Sequence, residues 1–181
     1  KAAHFIDLCC QRDIPLLFLA DVTGFMVGRA AEQSGIAKAG AKMITAMASA
    51  NVPKYTILIG ASYGAGYLAM CGRPFNPTAM FAWPNARAAI MGPEQAATVM
   101  ALVRRQINKS EGREWTPEEE EAFKKPVRKI YEDFQPADNF SSNLWVDGII
   151  DPTETRDVMG LMLDLASRTA ARPTPFGVFR F

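Results

Sequence analysis

The apolar residues of this 181-residue chain follow two different spacings, and each spacing predicts a different kind of element. Apolar side chains three and four residues apart predict helices over Ala2 to Arg12 and Ile36 to Ala50. Short unbroken apolar runs bounded by turn residues predict strands at 16–19, 55–59, 80–83 and 87–91. The first of these runs is apolar throughout and predicts a fully buried strand. Strands that alternate with helices predict an α/β fold.

The second half of the chain is dominated by predicted helices. One helix begins around Gly92 to Gln95, and from Arg104 the composition becomes rich in charge, which predicts a helical arm or lid at about 104–135. Thr116, followed by Pro and acidic residues, predicts a helix start within this arm. Its predicted buried stripe is Phe123, Val127, Ile130, Tyr131 and Phe134.

Three further expectations concern the same half of the chain. Pro126 is expected to bend or interrupt the arm helix, because proline lacks the backbone donor. A last helix is expected after Asp151 and Pro152, through Ala170. Its predicted apolar stripe is Val158, Leu161, Met162 and Leu165. The aromatic end of the chain, 176–181, predicts docking on another surface.

One stretch combines an apolar run with a turn made of small residues, from Tyr55 through Gly60 to Tyr67. Small residues allow a ligand to approach the backbone closely, and the start of a helix leaves N–H groups without intrahelical partners. One interpretation is an oxyanion site in which Ala65 and Gly66 offer their amides. The other is a tight strand-to-helix connection packed in an α/β core.

A second glycine-containing loop, Asp21 to Arg29, follows the first predicted strand. Gly24 and Gly28 permit positive φ or the close approach of a ligand. Phe25 and Met26 are apolar side chains in a loop, which suggests either packing against a ligand or partner or folding back onto the core.

The composition of the chain excludes several classes of function. The formal net charge is +1, and the charges form no basic stripe typical of nucleic-acid or membrane-surface binding. No apolar run is long enough to cross a bilayer. Three irregularly spaced cysteines favour free thiols over a disulfide framework, and the single histidine argues against a Ser-His-Asp device and a metal site. Chemistry is therefore expected to rest on backbone dipoles. Lys1 in place of Met suggests a processed chain or a piece of a larger protein.

The ordered set of motifs resembles the C-terminal half of the carboxyltransferase β subunit of biotin-dependent acyl-CoA carboxylases, with the methylcrotonoyl-CoA carboxylase branch nearest and the geranyl-CoA branch close by. The resemblance covers essentially the whole chain. The motifs are Asp21-Val-Thr-Gly-Phe-Met-Val-Gly28, Gly60-Ala-Ser-Tyr-Gly-Ala-Gly66, Met70-Cys-Gly-Arg73, Trp83-Pro-Asn-Ala-Arg87, Met91-Gly92 with Glu94-Gln-Ala-Ala97, and Phe176-Gly-Val-Phe-Arg180.

This resemblance implies a ClpP/crotonase-like fold of repeated ββα units, with 1–181 as the C-terminal carboxyltransferase domain and the N-terminal domain absent. It implies a homo-oligomer, a hexamer built from dimers, whose active site lies between the C-terminal domain of one subunit and the N-terminal domain of a neighbour. The partner α subunit carries the biotin, which is not attached to this chain. The fragment alone is expected to be inactive.

The resemblance also assigns roles. Amides of Ala65 and Gly66 meet the ureido oxygen of carboxybiotin, and Gly24, Phe25 and Gly64 complete the biotin-binding set. No metal is implied. The freed biotin nitrogen serves as base, which accounts for the lack of a suitable histidine or carboxylate. Losing one such amide typically costs ~3 kcal/mol in the transition state.

Two positions depart from the family pattern. Tyr67-Leu68 stands where methylcrotonoyl-type enzymes tend to carry Asn-Tyr, and Pro93 stands where a second glycine is common. Tyr67 and Leu68 are therefore candidate substrate-binding residues, and the acyl group remains open. The expected substrate is 3-methylcrotonoyl-CoA, with geranyl-CoA, propionyl-CoA or another acyl-CoA as alternatives.

Two other functional classes remain open alongside the carboxylase. One is a stand-alone crotonase-fold enzyme, above all a decarboxylase. The other is a non-catalytic assembly module, suggested by the apolar stripes and the aromatic terminus. The expected location is the cytoplasm for a bacterial protein and the mitochondrial matrix for a eukaryotic one, with neither nucleic acid nor membrane as a partner.

Overall fold

A computed structural model describes residues 1–170 and 172–179. Its strands pair in parallel throughout, as the predicted alternation of strands and helices requires. They form one sheet in the order β1-β2-β3-β5, with β4 also paired to β2. The strands are β1 (Leu16–Val22), β2 (Lys54–Tyr63), β3 (Ala79–Ala82), β4 (Arg87–Ala89) and β5 (Gly148–Ile149).

Helices connect these strands and cover the sheet. Short 3-10 turns at Arg73–Phe75 and Pro152–Glu154 supplement them. The helices are α1 (Ala2–Gln11), α2 (Arg29–Gln33), α3 (Ile36–Ser49), α4 (Gly64–Ala69), α5 (Pro93–Ser110), α6 (Pro117–Phe134), α7 (Ala137–Ser142) and α8 (Thr155–Ser167). No described helix has the length and hydropathy needed to cross a bilayer.

The long strand β2 organises the fold. Its first half pairs with β1 on one side and β3 on the other, and its second half pairs with β4. The register against β1 shifts between Ala20 and Val22, so that Val22 lies opposite Ser62. Two strand segments followed by a helix thus recur, first as the halves of β2 with α4 and then as β3, β4 and α5. This is the repeated ββα pattern.

Burial differs between the strands. β2 is covered on both faces: Tyr55 and Ile57 pack in the cluster with α8, and Leu58 packs in the cluster with Phe140 of α7. All three of these β2 side chains are fully buried. The prediction that 16–19 is a fully buried strand is wrong. Leu17 and Leu19 are 45% and 49% exposed, because β1 lies at the edge of the sheet and only its alternate residues face the α1–α3 core.

The charge-rich region folds as an antiparallel hairpin of α5 and α6, and Arg104 lies within α5. Thr116 caps α6 as predicted, and its side chain and that of Glu119 form a reciprocal capping box. The predicted buried stripe is wrong: no residue of α6 is fully buried, and Ile130 and Phe134 are 64% and 51% exposed. α6 also continues through Pro126, where the exposed surface leaves the unpaired carbonyl one turn back open to water.

Several predicted boundaries shift. α4 begins at Gly64, inside the turn of small residues, and α8 ends at Ser167 instead of Ala170. α8 buries Met159, which lies beside the predicted stripe, whereas Leu161 and Leu165 of that stripe are about half exposed.

The extended segment after α8 returns to α3. Asn51 donates hydrogen bonds to the Pro173 carbonyl and the Thr174 hydroxyl, and Gly177 packs against Thr45 of α3. The part of the predicted aromatic docking segment at Arg180 and Phe181 lies outside the described residues.

Candidate functional site

Three segments meet where β1, β2 and β4 end. Carboxyl ends of parallel strands lie at the same edge of a sheet, which is where open α/β proteins place their binding sites. The loop at 23–28 follows β1, α4 follows β2, and Ile90 follows β4. The loop at 23–28 and Ile90 both contact the start of α4, at Gly66 and Gly64.

Gly64 is required by both its conformation and its surroundings. Its φ is +53°, in the left-handed region that glycine adopts most readily. A Cβ at this position would lie 2.8 Å from the Ile90 carbonyl oxygen, closer than real Cβ atoms approach backbone oxygen. The backbone after β4 thus packs directly on the backbone that starts α4.

Gly66 makes the corresponding contact with the loop after β1. A Cβ there would lie 2.6 Å from a methyl group of Val22 and 3.0 Å from the Gly24 Cα. Gly24 itself has φ +120°, a conformation that L side chains rarely adopt. The structure therefore brings together Gly24, Gly64 and Gly66, three of the residues that the sequence assigns to one site.

Ala65 lies between these two packed glycines and is exposed. Ala65 and Gly66 are the second and third residues of α4, and Tyr63 is its N-cap. N–H groups in the first turn of a helix have no intrahelical acceptor. Two adjacent amides in this position can donate hydrogen bonds to a ligand oxygen that carries negative charge.

Phe25 shares the loop with Gly24, but its side chain turns away toward α3. A Cβ at Gly40 of α3 would lie only 3.0 Å from the Phe25 ring. Of the two interpretations of this loop, folding back onto the core therefore holds for Phe25. Met26 and Val27 are 73% and 88% exposed and form the outer surface of the loop.

Asp21 was not singled out by sequence reasoning, although it directly follows a predicted strand in the first motif. Its Oδ1 accepts a hydrogen bond from the Ala61 amide at 2.9 Å, and a Cβ at Gly60 would lie 2.4 Å from the same oxygen. The carboxylate thus ties β1 to β2 at the point where their register shifts. This bond supports the loop that carries Gly24.

Tyr67 and Leu68, the candidate substrate-binding residues, follow on α4 and line one pocket. The Tyr67 hydroxyl accepts a hydrogen bond from the Arg73 amide at 2.8 Å, and its ring packs beneath Gly72. Burial raises the pKa of the Tyr67 phenol, so the hydroxyl stays protonated at neutral pH. Tyr67 is a fixed wall of the pocket.

The described residues offer few other groups for chemistry. His4 is exposed on α1, and no described set of three His, Cys, Asp or Glu side chains is placed to hold a metal ion. Burial raises the pKa of the Cys10 and Cys71 thiols, which disfavours the reactive thiolate. The amides at the start of α4 remain the best-placed polar groups at this edge of the sheet.

The chain matches a family model over nearly its whole length: residues 1–177 match the model described as "Carboxyl transferase domain". The chain belongs to the carboxyl transferase domain family. It is 54% identical over 180 residues to the biotin-dependent 3-methylcrotonyl-coenzyme A carboxylase beta1 subunit of Mycobacterium tuberculosis (strain ATCC 25618 / H37Rv), covering 99% of this chain and 34% of that protein.

A second relative is the mitochondrial methylcrotonoyl-CoA carboxylase beta chain of Arabidopsis thaliana. It is 55% identical over 180 residues, with 99% of this chain and 31% of that protein covered. This carboxyl transferase domain chain thus spans about a third of the length of the curated relatives it matches.

Solved structures agree. The geranyl-CoA carboxylase beta subunit of P. aeruginosa has a TM-score of 0.84 and 42% identity, covering 100% of this chain and 34% of that one. A transcarboxylase 12S structure, described as a hexamer assembly, has a TM-score of 0.80 and 34% identity, covering 99% and 33%. The predicted crotonase-like α/β fold of the carboxyl transferase domain is confirmed.

Proposed function

We propose that this chain is the carboxybiotin-binding C-terminal part of a carboxyltransferase β subunit, which transfers a carboxyl group from carboxybiotin to an acyl-CoA. The observation that carries the proposal is the junction of Gly24, Gly64 and Gly66 around the exposed Ala65. Similarity to biotin-dependent methylcrotonoyl-CoA carboxylase subunits supports it.

The backbone at this junction fits the ureido group of biotin. The loop and α4 meet through glycines: Gly66 is buried against Val22 and Gly24, and Ala65 before it is exposed. Carboxybiotin supplies the carboxyl group when bound, and its ureido oxygen gains negative charge as that group leaves. The two amides donate hydrogen bonds to this oxygen and stabilise that charge, while Gly24, Phe25 and Gly64 hold the amides in position.

The proposed acyl-CoA contacts are Tyr67 and Leu68, beside the same turn. The similarity to relatives named for 3-methylcrotonoyl-CoA favours that substrate, and the geranyl-CoA carboxylase neighbour makes geranyl-CoA the second candidate. Both acyl groups are apolar, and most of the residues that line the pocket are apolar too.

The wider assembly follows from the same proposal. Biotin arrives on a partner α subunit, and the acyl-CoA is held mainly by the N-terminal carboxyltransferase domain of a neighbouring β subunit. Residues 1–181 form the C-terminal domain, with the α5–α6 hairpin as its arm. A hexamer is proposed on the example of the transcarboxylase 12S. The plant relative is described as mitochondrial, so a eukaryotic version of this chain would work in the matrix.

The test replaces Ala65 with proline in the full-length β subunit. Proline removes one amide, is tolerated in the first turn of a helix and loses no buried side chain, because Ala65 is exposed. We expect kcat for transfer of a labelled carboxyl group from the carboxylated biotin carrier to acyl-CoA to fall about 10²–10³-fold. Gly66 is a poorer target, because any added side-chain atom there meets Val22.

Ala65→Ser is the matched control, since it changes the side chain and keeps the amide. It should transfer carboxyl groups at close to the wild-type rate. Both variants are first compared with the wild type in melting temperature and oligomer size. Normal transfer by a folded Ala65→Pro enzyme would refute the role of this amide. Failure of the wild-type enzyme to carboxylate any acyl-CoA would refute the proposed function itself.

A further inference from the structure

The helix that carries the proposed oxyanion amides, α4, is short and begins without a side-chain cap of its own. It has six residues, and its N-cap residue, Tyr63, makes no capping hydrogen bond to the first turn. At the start of α6, by contrast, the Thr116 side chain caps the helix that it begins. The direction of the free amides in α4 therefore depends on contacts from elsewhere in the fold.

One such contact comes from the end of α6. The Tyr63 hydroxyl donates a hydrogen bond to the side-chain oxygen of Gln135 at 2.6 Å. Gln135 is the C-cap residue of α6 and is 8% exposed. Burial raises the pKa of the Tyr63 phenol, so the hydroxyl keeps the proton that it donates at neutral pH. The bond thus joins the residue that begins α4 to the residue that ends α6.

The backbone of Gln135 makes a second contact close to the same turn. Its carbonyl oxygen accepts a hydrogen bond from the Ala88 amide of β4 at 3.0 Å. Ala88 lies two residues before Ile90, whose carbonyl oxygen packs against Gly64. Gln135 therefore contacts both of the segments that meet at Gly64, Tyr63 through its side chain and β4 through its backbone.

We propose that Gln135 is a positioning residue for carboxyl transfer, which holds the start of α4 through Tyr63 and β4 so that the amides of Ala65 and Gly66 keep their direction. The inference rests on the proposed function and deepens it, because it names a residue outside the turn on which the reaction depends. Amides stabilise a developing charge only when they are already in place, and a displacement of about 1 Å can lower a rate by orders of magnitude.

Two substitutions break the side-chain bond from its two ends. Tyr63→Phe removes the donor and Gln135→Met removes the acceptor, and both keep the length of the side chain. In the full-length β subunit with its carboxylated biotin carrier, each should lower kcat for carboxyl transfer by about tenfold. The KM for acyl-CoA should stay unchanged, because the amides act on charge that develops only in the transition state.

The double variant separates positioning from direct contact with the substrate. Tyr63→Phe combined with Gln135→Met should cost no more activity than either substitution alone, since all three variants lack the same bond. If the Tyr63 hydroxyl contacted the substrate instead, Tyr63→Phe would be slow and Gln135→Met would transfer carboxyl groups at close to the wild-type rate. That result would overturn the role of Gln135.

Tyr55→Phe is the matched control, at the opposite end of β2. The Tyr55 hydroxyl donates to the Met162 carbonyl of α8 at 2.9 Å, and Tyr55 is 1% exposed. This variant should lower the melting temperature at least as much as Tyr63→Phe does and leave kcat unchanged. Activity that follows melting temperature in every variant, Tyr55→Phe included, would show that the Tyr63–Gln135 bond only stabilises the fold, and would overturn the proposal.

Hydrogen exchange gives a measurement that needs no turnover. Protection of the hydrogen-bonded amides of α4 should fall in Tyr63→Phe and Gln135→Met and stay at the wild-type level in Tyr55→Phe. This pattern in an enzyme that carboxylates no acyl-CoA would support the contact between Gln135 and the start of α4 and refute the proposed function. Wild-type transfer rates in folded Tyr63→Phe and Gln135→Met enzymes would overturn the positioning role and leave the proposed function standing.

Discussion

The turn at the end of β2 and the α5–α6 arm are held by different forces. At the turn, backbone meets backbone: the Ile90 carbonyl lies against Gly64, and Gly24 lies against Gly66. In the arm, exposed side chains link the helices, since Arg128 of α6 pairs with Glu94 of α5. Arg128 also pairs with Glu121, about two turns earlier in α6. The turn is fixed by excluded volume, whereas the arm adds exposed ion pairs to the packing of the buried alanines of α5.

The difference determines how each region responds to change. Close packing cannot yield without moving backbone, so a single added methyl group is felt strongly. Exposed ion pairs are weak individually and are screened by salt and weakened by acid. A site that must hold two amides in fixed positions benefits from close packing of the backbone. A surface hairpin can be held by weaker contacts such as exposed ion pairs.

The largest expected effect is that of Gly64→Ala. An alanine there needs the left-handed conformation and pushes a Cβ against the Ile90 carbonyl oxygen. Together these should lower the free energy of unfolding of the full-length subunit by about 3 kcal/mol, measured by urea denaturation. Carboxyl transfer should fall with it.

Gly160→Ala is the matched control for this substitution. Gly160 lies inside α8 with open space around its missing side chain, so alanine should raise the free energy of unfolding by about 0.5–1 kcal/mol. Equal stabilities for the wild type and Gly64→Ala would show that the segment after β4 yields, and the contrast between turn and arm would be lost.

A smaller effect is expected in the arm when acid breaks its ion pairs. Hydrogen bonds from Arg128 lower the pKa of Glu94 and of Glu121 below the usual 4.5. A carboxyl group whose pKa is lower in the folded state stabilises that state above its unfolded pKa, and the contribution is lost as pH falls through the folded value. Hydrogen-exchange protection of the α5 and α6 amides, corrected for intrinsic rates, should therefore fall below pH 4.5.

Arg128→Gln should reproduce this loss of protection already at pH 7, by less than about tenfold, because exposed ion pairs contribute little. Lys129→Gln is the control: Lys129 pairs with Asp133 within α6 and does not link the helices. Protection that stays constant from pH 7 down to about pH 2, below the range in which both carboxyl groups become protonated, would show that packing, not charge, holds the arm.

Local pattern predicted the elements well where local chemistry decides them. Helical spacing located α1 and α3 within a residue or two, and Thr116 marked the start of α6 through its capping box. Pattern failed where neighbours decide. An apolar run cannot reveal that β1 lies at a sheet edge, so the exposure of Leu17 was missed. Nor can the spacing of apolar residues in a helix such as α6 show whether another element packs against them.

The residues of the candidate site also differ in how far the sequence alone reveals them. Gly24, Gly64 and Gly66 stand out in the sequence because glycine is chosen for backbone reasons that a turn motif displays. Asp21 does not stand out, since its role depends on the Ala61 amide, which only the folded chain places beside it. The assignment of Phe25 to the biotin-binding set stays a prediction, and the structure adds that its ring packs on Gly40 of α3.

The central claim is that the Ala65 amide donates a hydrogen bond to the ureido oxygen of biotin. Isotope-edited infrared spectroscopy of biotin labelled with ¹³C at the ureido carbon, bound to the full-length β subunit, tests it directly. A hydrogen bond weakens the C=O bond, so binding to the wild type should lower its stretching frequency more than binding to Ala65→Pro. The same frequency in both proteins, at equal occupancy by biotin, would contradict the claim.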